Sequence, residues 1–160
     1  KKDFTKAELE WWGKYNISLK ILNKFQVYSC ENVFLNDNYF AKSDSKNFIF
    51  GYYGNKKNKL ELWRCYFPFR TEYRFITNWP ASKVQGFEQL PKNGKVLVIT
   101  KSMKDVMSLY SFNIPAIAPN SEHLFINDNV LQDLKTRFNH IIVLYDFDII
   151  LTSIFKSFVI

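Results

Sequence analysis

Two aspartates separated by one residue, Asp146 and Asp148, form the pattern in the sequence with the clearest chemical potential. They follow an apolar run, and Glu122 is a third acid that we expect to face them. Mg²⁺ binds through one or two carboxylates while it keeps several waters and accepts phosphate oxygens. The pattern therefore predicts a Mg²⁺ (or Mn²⁺) site at Asp146, Asp148 and Glu122. Solvated acids at the end of a strand are the ordinary alternative.

A second polar cluster lies between Lys101 and Asp105. Lys101 and Lys104 stand at the start of a predicted helix, where free backbone N–H groups favour anions. Either lysine is a candidate for holding a phosphate, and the alternative is an ordinary surface side chain. Asp105 is a candidate catalytic acid, or else it completes a capping box with Ser102.

A strand–helix–strand–helix–strand pattern must position these residues. Strands are predicted over 95–100, 116–118 and 140–145, because each is a short run of apolar and β-branched residues. Helices are predicted directly after Ser102 and over 129–138. Such alternation indicates a parallel sheet built by right-handed crossovers, with ligands outside the carboxyl ends of its strands.

The preceding part of the chain reads as two helices followed by antiparallel strands. Thr5 and Glu8 have capping-box spacing, so a helix should run to about residue 15. Ser18 is expected to cap a second short helix to residue 23, with Leu19 and Leu22 facing inward. Strands are predicted over 25–35, 47–53, 60–68 and 73–78, with a turn at 36–38 and a protruding connection at 54–58.

The positive charge is concentrated in the first part of the chain. The net charge is +7, and residues 1–92 hold 16 Lys and Arg against 9 Asp and Glu, whereas residues 93–160 hold 6 against 6. A basic region beside a neutral one favours a polyanionic partner, nucleic acid before membrane. A lysine-rich proteome is the competing explanation.

Two cysteines, Cys30 and Cys65, are too few for the usual zinc site, which takes about four ligands. A disulfide framework is equally unexpected, which favours a reducing cytoplasm. The apolar segment 149–160 contains Lys156 and is too short to span a bilayer, so no membrane association is expected. The chain begins with Lys, which suggests a fragment.

The clusters of the second region resemble the TOPRIM domain of bacterial-type primases, topoisomerases and some nucleases. Segment 96–106 (Val-Leu-Val-Ile-Thr-Lys-Ser-Met-Lys-Asp-Val) occupies the position of the first TOPRIM motif, a strand ending in an acid with an aspartate a few residues on. Segment 144–148 (Leu-Tyr-Asp-Phe-Asp) occupies the position of the second, an Asp-x-Asp after a strand. The expected fold is therefore α+β. It has a basic helical and antiparallel-strand subdomain, 1–92, and an incomplete TOPRIM-like βαβαβ domain, 93–160.

The first region is similar to the primase branch of this group. Segment 63–69 (Trp-Arg-Cys-Tyr-Phe-Pro-Phe) resembles the primase strand of Arg, two apolar residues and Phe-Pro, and 73–79 with Gln85-Gly86 resembles the segment after it. The resemblance implies a DNA primase that makes short RNA primers on single-stranded DNA from nucleoside triphosphates, with a replicative helicase as partner. Asp146 and Asp148 would then bind metal. The residues expected to contact nucleic acid or nucleotide are Arg64, Arg70, Arg74, Asn78 and Lys104.

Two positions depart from the TOPRIM pattern. Lys101 stands where the first motif has its glutamate, so a metal ligand or general base is replaced by a cation. Ile149 to Phe155 replaces the small residues that normally follow the Asp-x-Asp. A TOPRIM nucleic-acid-binding module or nuclease without primer synthesis is therefore an alternative, and an unrelated structural protein is another.

Overall fold

The computed structural model describes residues 1–121 and 123–145. Within these residues the helices are α1 (Lys6–Gly13), α2 (Leu19–Lys24), α3 (Met103–Ser111) and α4 (Asp128–Arg137). The strands are β1 (Val27–Ser29), β2 (Asn32–Leu35), β3 (Asn38–Lys42), β4 (Phe50–Lys56), β5 (Lys59–Tyr66), β6 (Phe75–Thr77), β7 (Gly94–Ile99), β8 (Ala116–Ile117) and β9 (Phe138–Val143). This mixture confirms the α+β prediction.

The capping box predicted for α1 is present. The Glu8 N–H donates to Thr5 Oγ1 at 3.3 Å, and the Thr5 N–H donates to Glu8 Oε2 at 2.7 Å. The carboxylate also accepts from the buried Ser29 hydroxyl at 2.7 Å and pairs with Lys2 at 3.1 Å. The cap of α1 is therefore tied directly to strand β1.

The second helix is confirmed, but its buried face differs from the prediction. Ser18 is the N-cap residue without a side-chain hydrogen bond to the helix. Leu22 is buried as expected, whereas Leu19 is 44% exposed and Ile21 is buried instead. In a helix of six residues, Ile21, Leu22 and Phe25 form the stripe that meets the core, and Leu19 points away from it.

Strands β1, β4, β5 and β6 form an antiparallel sheet in the order β1-β4-β5-β6. The protruding connection predicted at 54–58 is wrong, because β4 and β5 continue to a two-residue turn at Lys57 and Asn58. Both turn residues have positive φ, 48° and 63°, which is the type I′ conformation that matches the twist of a hairpin.

The segment predicted as one strand over 25–35 forms two strands in different sheets. β1 joins the large sheet, while β2 pairs with β3 in a separate hairpin. The predicted turn at 36–38 is confirmed, with positive φ at Asn36 and Asp37. Strand β3, with the sequence Asn-Tyr-Phe-Ala-Lys, was not predicted.

Strands β7, β8 and β9 form a parallel sheet in the order β8-β7-β9, as the sequence pattern predicts. Helix α3 connects β7 to β8, and α4 connects β8 to β9. The carboxyl ends of β7 and β8 lie side by side, with Ile99 opposite Ile117. Residues that follow these two strands therefore share one edge of the sheet.

One apolar core joins the two sheets. Trp11 and Trp12 of α1 and Phe50 of β4 belong to the same buried cluster as Val106 and Met107 of α3. The boundary expected between residues 92 and 93 lies just before β7, and the division into two domains there stays a prediction. No helix within the described ranges has the length and apolarity to cross a membrane.

Candidate functional site

The carboxyl end of β7 leads directly into α3. The Ser102 side chain accepts from the Asp105 N–H at 3.3 Å and donates to Asp105 Oδ2 at 2.6 Å. Ser102 is thus the N-cap residue of α3, and its hydroxyl fixes the Asp105 carboxylate in the first turn. The predicted capping box is only half formed, because this carboxylate accepts from the Ser102 hydroxyl instead of the Ser102 backbone N–H. Lys101 lies between Thr100 and this cap and is partly buried.

Gln85 connects three elements at this edge. Its side chain is 1% exposed. Its Oε1 accepts from the Met103 N–H, the first residue of α3, at 3.2 Å and from Arg64 Nη1 at 3.2 Å. Its Nε2 donates to the carbonyl of Pro119, just beyond β8. Gln85 therefore satisfies an otherwise unpaired N–H at the helix start and links it to both sheets.

Arg64 reaches this edge from strand β5. Arg64 is 7% exposed, and its guanidinium donates to Thr77 Oγ1 at 2.9 Å, to Gln85, and to the backbone carbonyl and Oδ1 of Asn120. Burial lowers the pKa of Arg64, and the nearby Tyr52 hydroxyl opposes that shift. These four acceptors are neutral oxygens, so the group is held in place by hydrogen bonds from two sheets.

Asn120 completes this polar link. It is 6% exposed and its Nδ2 donates to the carbonyl of Pro80 at 3.1 Å. Residues at the end of β8 are thereby fixed to the segment that leaves β6. We call Arg64, Gln85 and Asn120 together the polar link.

The first turn of α3 lies against the antiparallel sheet near Tyr66. Burial raises the pKa of Tyr66 to about 12, Arg74 opposes the shift, and the charges of Tyr15 and Asp105 add to it. The pKa of Tyr52 is raised by burial and, in smaller part, by Tyr66 and Asp105. Asp105 and Arg74 therefore shift the pKa of the same tyrosine in opposite directions.

Three further predicted residues lie on the surface around this junction. Lys104 is partly exposed, with its Nζ 4.0 Å from the centroid of the Tyr15 ring. Arg74 is exposed and donates to the Pro68 carbonyl at 3.2 Å. Asn78 is exposed, and its backbone N–H donates to the carbonyl of Trp63 at 3.1 Å. Arg74 and Lys104 thus present positive charge near Tyr66 and Tyr15.

Arg70 is placed apart from the other two arginines. Its guanidinium lies 4.2 Å from the centroid of Phe67 and 5.1 Å from that of Phe40. Phe67 belongs to the cluster on the other face of the sheet from Tyr66, together with Cys65. Side chains alternate between the faces of a strand, so Arg70 packs on the side opposite Arg64.

The three acids predicted to bind metal, Glu122, Asp146 and Asp148, lie outside the described residues. Their convergence with Lys101 and Asp105 stays a prediction. Among residues 1–121 and 123–145, no three His, Cys, Asp or Glu side chains form a cluster suited to a metal ion. The carboxylates of the predicted set are the hard oxygen donors that Mg²⁺ prefers.

The sequence prediction missed Gln85 and Thr77 as parts of the site, and it placed Asn120 at the strand end without giving it a role. The available signal was the pair Gln85-Gly86. Gly86 has φ 79°, and a Cβ there would lie 2.6 Å from Val106 Cγ1, so glycine is needed for close packing on α3. That close approach places Gln85 at the helix start. The hydrogen-bond partners of Gln85 are distant in sequence and leave no local pattern.

Comparison with known proteins finds similarity in structure but none in sequence. No protein-family model matches the sequence, and no curated protein matches it. The E. coli primase catalytic core superposes with a TM-score of 0.62 at 13% identity, over 90% of this chain and 56% of the other. The DnaG primase catalytic domain bound to single-stranded DNA gives 0.59 at 11% identity, over 86% of this chain and 55% of the other.

A phage structure shares the same architecture. In the bacteriophage T7 lagging-strand DNA polymerase complex, primase domains of two gp4 subunits are bound to an RNA/DNA hybrid and dTTP. The match has a TM-score of 0.52 at 11% identity, over 92% of this chain and 64% of the other. The chain spans a little over half the length of the DnaG chains it matches. At these identities the likeness concerns the fold: this chain has the fold of the catalytic core of bacterial and phage primases.

Proposed function

We propose that this chain is part of a primase that synthesises short RNA primers on single-stranded DNA from nucleoside triphosphates, with Mg²⁺ or Mn²⁺. The observation that carries the proposal is the polar link. In a primase-like fold, it joins the arginine-bearing sheet to the carboxyl edge of the parallel sheet, where phosphate chemistry is expected.

The proposed roles divide between acids and cations. Asp146, Asp148 and Glu122 would hold the metal ions, which neutralise charge on the transferred phosphoryl group when bound. Arg74, Lys104 and Asn78 would contact template or nucleotide phosphates from the exposed side of the junction. Arg70, on the other face of the sheet, would contact a more distant part of the strand.

Arg64 acts as a positioning residue in this proposal. Its four hydrogen bonds favour that role over the direct phosphate contact predicted from sequence. Through Gln85 it holds the first turn of α3, and with it Lys101, Ser102 and Asp105, against the antiparallel sheet. The fixed helix start orients the incoming phosphate for in-line attack by the 3′-hydroxyl.

Lys101 supplies a fixed positive charge at the position where the TOPRIM motif has a glutamate. If it replaces part of the charge that a second metal ion provides, Lys101→Ala should need a higher Mg²⁺ concentration for half-maximal activity. Titrating Mg²⁺ in primer synthesis with the wild type, Lys101→Ala and Lys101→Glu measures this requirement. Equal Mg²⁺ dependence in all three proteins would show that Lys101 does not replace the charge of a second metal ion.

The decisive experiment is template-directed synthesis. The protein is mixed with a single-stranded DNA template, labelled ribonucleoside triphosphates and Mg²⁺, and short RNA products are resolved on a gel. We expect products that require both template and metal, and a loss of at least about 100-fold in Asp146→Asn, because charge stabilisation of this kind is worth several kcal/mol. Retained DNA binding without products would reject primer synthesis.

The second candidate is a TOPRIM nuclease or binding module, and the lysine at position 101 is the observation that favours it. Loss of labelled DNA in Mn²⁺ without added nucleotides would identify a nuclease. A replicative helicase is the proposed protein partner, and the bacterial or phage-infected cytoplasm is the proposed location.

A further inference from the structure

Three aromatic residues form a row across neighbouring strands of the antiparallel sheet. Phe50 on β4 pairs with Tyr66 on β5, which pairs with Phe75 on β6. The centroids of Phe50 and Tyr66 are 6.4 Å apart, and the rings are tilted by 42°. Those of Tyr66 and Phe75 are 4.8 Å apart, and the rings are nearly parallel, at 12°.

The row of three rings runs across the sheet, perpendicular to its strands. A separation of 4.8 Å equals the usual distance between hydrogen-bonded strands, about 4.7–4.9 Å. β6 is the last strand of its sheet order, and Phe75 is 41% exposed, whereas Tyr66 is 5% exposed. The outer face of the Phe75 ring therefore looks beyond the sheet edge, where the next ring of the row would stack.

Two arginines lie next to this exposed ring, the buried Arg64 and the exposed Arg74. The Arg64 guanidinium carbon lies 5.2 Å from the Phe75 centroid. Arg74, the preceding residue, is exposed and close enough to Tyr66 to oppose the rise in its pKa. A flat apolar face beside cations is the combination that binds single-stranded nucleic acid, because bases stack and phosphates pair with the charges.

Three other exposed rings have a different arrangement. Phe34 and Tyr39 on the β2–β3 hairpin, 59% and 63% exposed, pack edge to face on each other at 78°. Phe112 is 62% exposed at the C-cap of α3, the end of the helix opposite the Ser102 N-cap. Phe75 combines a stacked inner face, an exposed outer face and a neighbouring arginine at the site edge.

We infer that the outer face of Phe75 is a seat on which a nucleobase stacks, extending the row of Phe50 and Tyr66. The seat rests on the proposed function, since it presumes that nucleic acid or nucleotide binds at this edge. Stacking alone is tolerant of base identity, so the seat contributes affinity for any base. The base belongs either to the template strand or to the incoming nucleotide.

The test compares Phe75→Ala, Phe75→Leu and Phe75→Trp with the wild type. Phe75→Leu keeps an apolar side chain without a ring, which separates stacking from packing. Phe112→Ala is the control for losing an exposed phenylalanine elsewhere. Each protein, checked for folding by circular dichroism, is titrated by fluorescence anisotropy with a labelled single-stranded oligonucleotide and with one of equal length carrying abasic sites. Affinity for ATP is measured separately.

If the template supplies the base, Phe75→Ala and Phe75→Leu weaken binding of the normal strand roughly tenfold, about 1.4 kcal/mol, and leave the abasic strand unaffected. Phe75→Trp and Phe112→Ala retain wild-type affinity. If the incoming nucleotide supplies the base, the same loss appears for ATP instead. Both results support the seat.

Equal weakening of the normal and abasic strands, full affinity in Phe75→Leu, or no change in any titration would overturn the seat. The proposed function survives those results when the wild type still makes primers. A wild type that binds neither single-stranded DNA nor ATP at low salt would remove the proposed function and the seat with it.

Discussion

The antiparallel and the parallel sheet build their parts of the candidate site by different means. In the antiparallel sheet, side chains are placed by cross-strand register: Arg64 lies opposite Thr77, and Tyr66 opposite Phe75. In the parallel sheet they are placed by topology, at the ends of β7 and β8. The first contributes rings and guanidinium groups, and the second contributes a helix start. Neither region contains the whole site.

The two regions also differ in how they meet. Away from the edge they share an apolar core, and at the edge they meet through the polar link. Apolar packing tolerates small shifts, whereas hydrogen bonds fix distances to a few tenths of an ångström. The relative position of the two sheets is therefore fixed most precisely at the polar link.

The most severe way to break this arrangement is Arg64→Ala. It would leave the backbone carbonyl and Oδ1 of Asn120 buried without this donor, remove one of the two donors to Gln85 Oε1, and lower the free energy of unfolding by about 3–5 kcal/mol. Urea denaturation measures the loss. Arg74→Ala is the matched control, and its exposed side chain should change stability by less than about 0.5 kcal/mol. Similar losses in both variants would contradict the structural role of Arg64.

Glu8→Gln breaks a polar contact confined to the first region. Glu8 is 1% exposed, and the variant should lose about 2 kcal/mol at pH 7, because a charged capping acceptor and an ion pair disappear together. Glu10→Gln is the control: Glu10 pairs with Lys6 at 3.8 Å on the surface, and about 0.3 kcal/mol is expected. Denaturation at pH 7 compares the two.

The same pair of variants tests a pH dependence. Burial alone would raise the pKa of Glu8, but the hydrogen bonds from Thr5 and Ser29 and the contact with Lys2 outweigh it, so the pKa lies below 4.5. A lowered folded-state pKa gives stability that is present above the unfolded value and lost as pH falls through the folded value. The gap between wild type and Glu8→Gln should therefore narrow below about pH 4.5. A gap that stays constant into acid would disprove the shift.

Arg74→Ala sharpens the division of roles between Arg64, on β5, and Arg74, which directly precedes β6. We expect the affinity for single-stranded DNA to fall roughly fivefold for all sequences and the slope of log affinity against log salt to decrease by about one. Anisotropy titrations over a range of salt concentrations measure both. Lys20→Ala on α2 removes an exposed charge from a different element and should leave the affinity unchanged. Equal effects of the two variants would indicate only a general charge effect.

The smallest expected effect concerns the β4–β5 turn. Lys57 and Asn58 both adopt positive φ, so replacing them by Asn and Gly should stabilise the protein by about 0.5–1 kcal/mol. Thermal denaturation detects the gain. Unchanged affinity for DNA would confine the turn to a structural role, whereas a loss of affinity would extend the binding surface to this hairpin.

Local patterns predicted much of this fold. The capping box at Thr5, the N-cap at Ser102 and the strand–helix alternation after residue 93 can be predicted because each depends on residues close in sequence. The β2–β3 hairpin was missed, since the run over 25–35 gives no local sign that its two halves join different sheets. The β4–β5 turn was wrong because Gly54 and Asn55 read as loop residues although pairing keeps them in a strand.

The site was less predictable than the fold. Arg64 was recognised as important, but its partners Gln85 and Asn120 lie 21 and 56 residues away. Arg70 and Arg74 look equivalent in sequence, yet the reversal of the chain between β5 and β6 places Arg70 with the rings of Phe40 and Phe67. These positions depend on pairing between residues far apart in the sequence. Such pairing produces no periodic pattern from which it could be predicted.

The core shared by the two sheets has a consequence for how the protein would hold a template. Trp12, Phe50 and Met107 are fully buried in one cluster, to which both the antiparallel-sheet half and the parallel-sheet half of the chain contribute. Separating these halves would therefore expose large apolar surfaces to water. We therefore expect the chain to melt in one cooperative step and the edge spanned by the polar link to keep its geometry. A nucleic-acid strand that binds at such a preformed edge loses its own conformational freedom, but its binding does not have to order the protein as well.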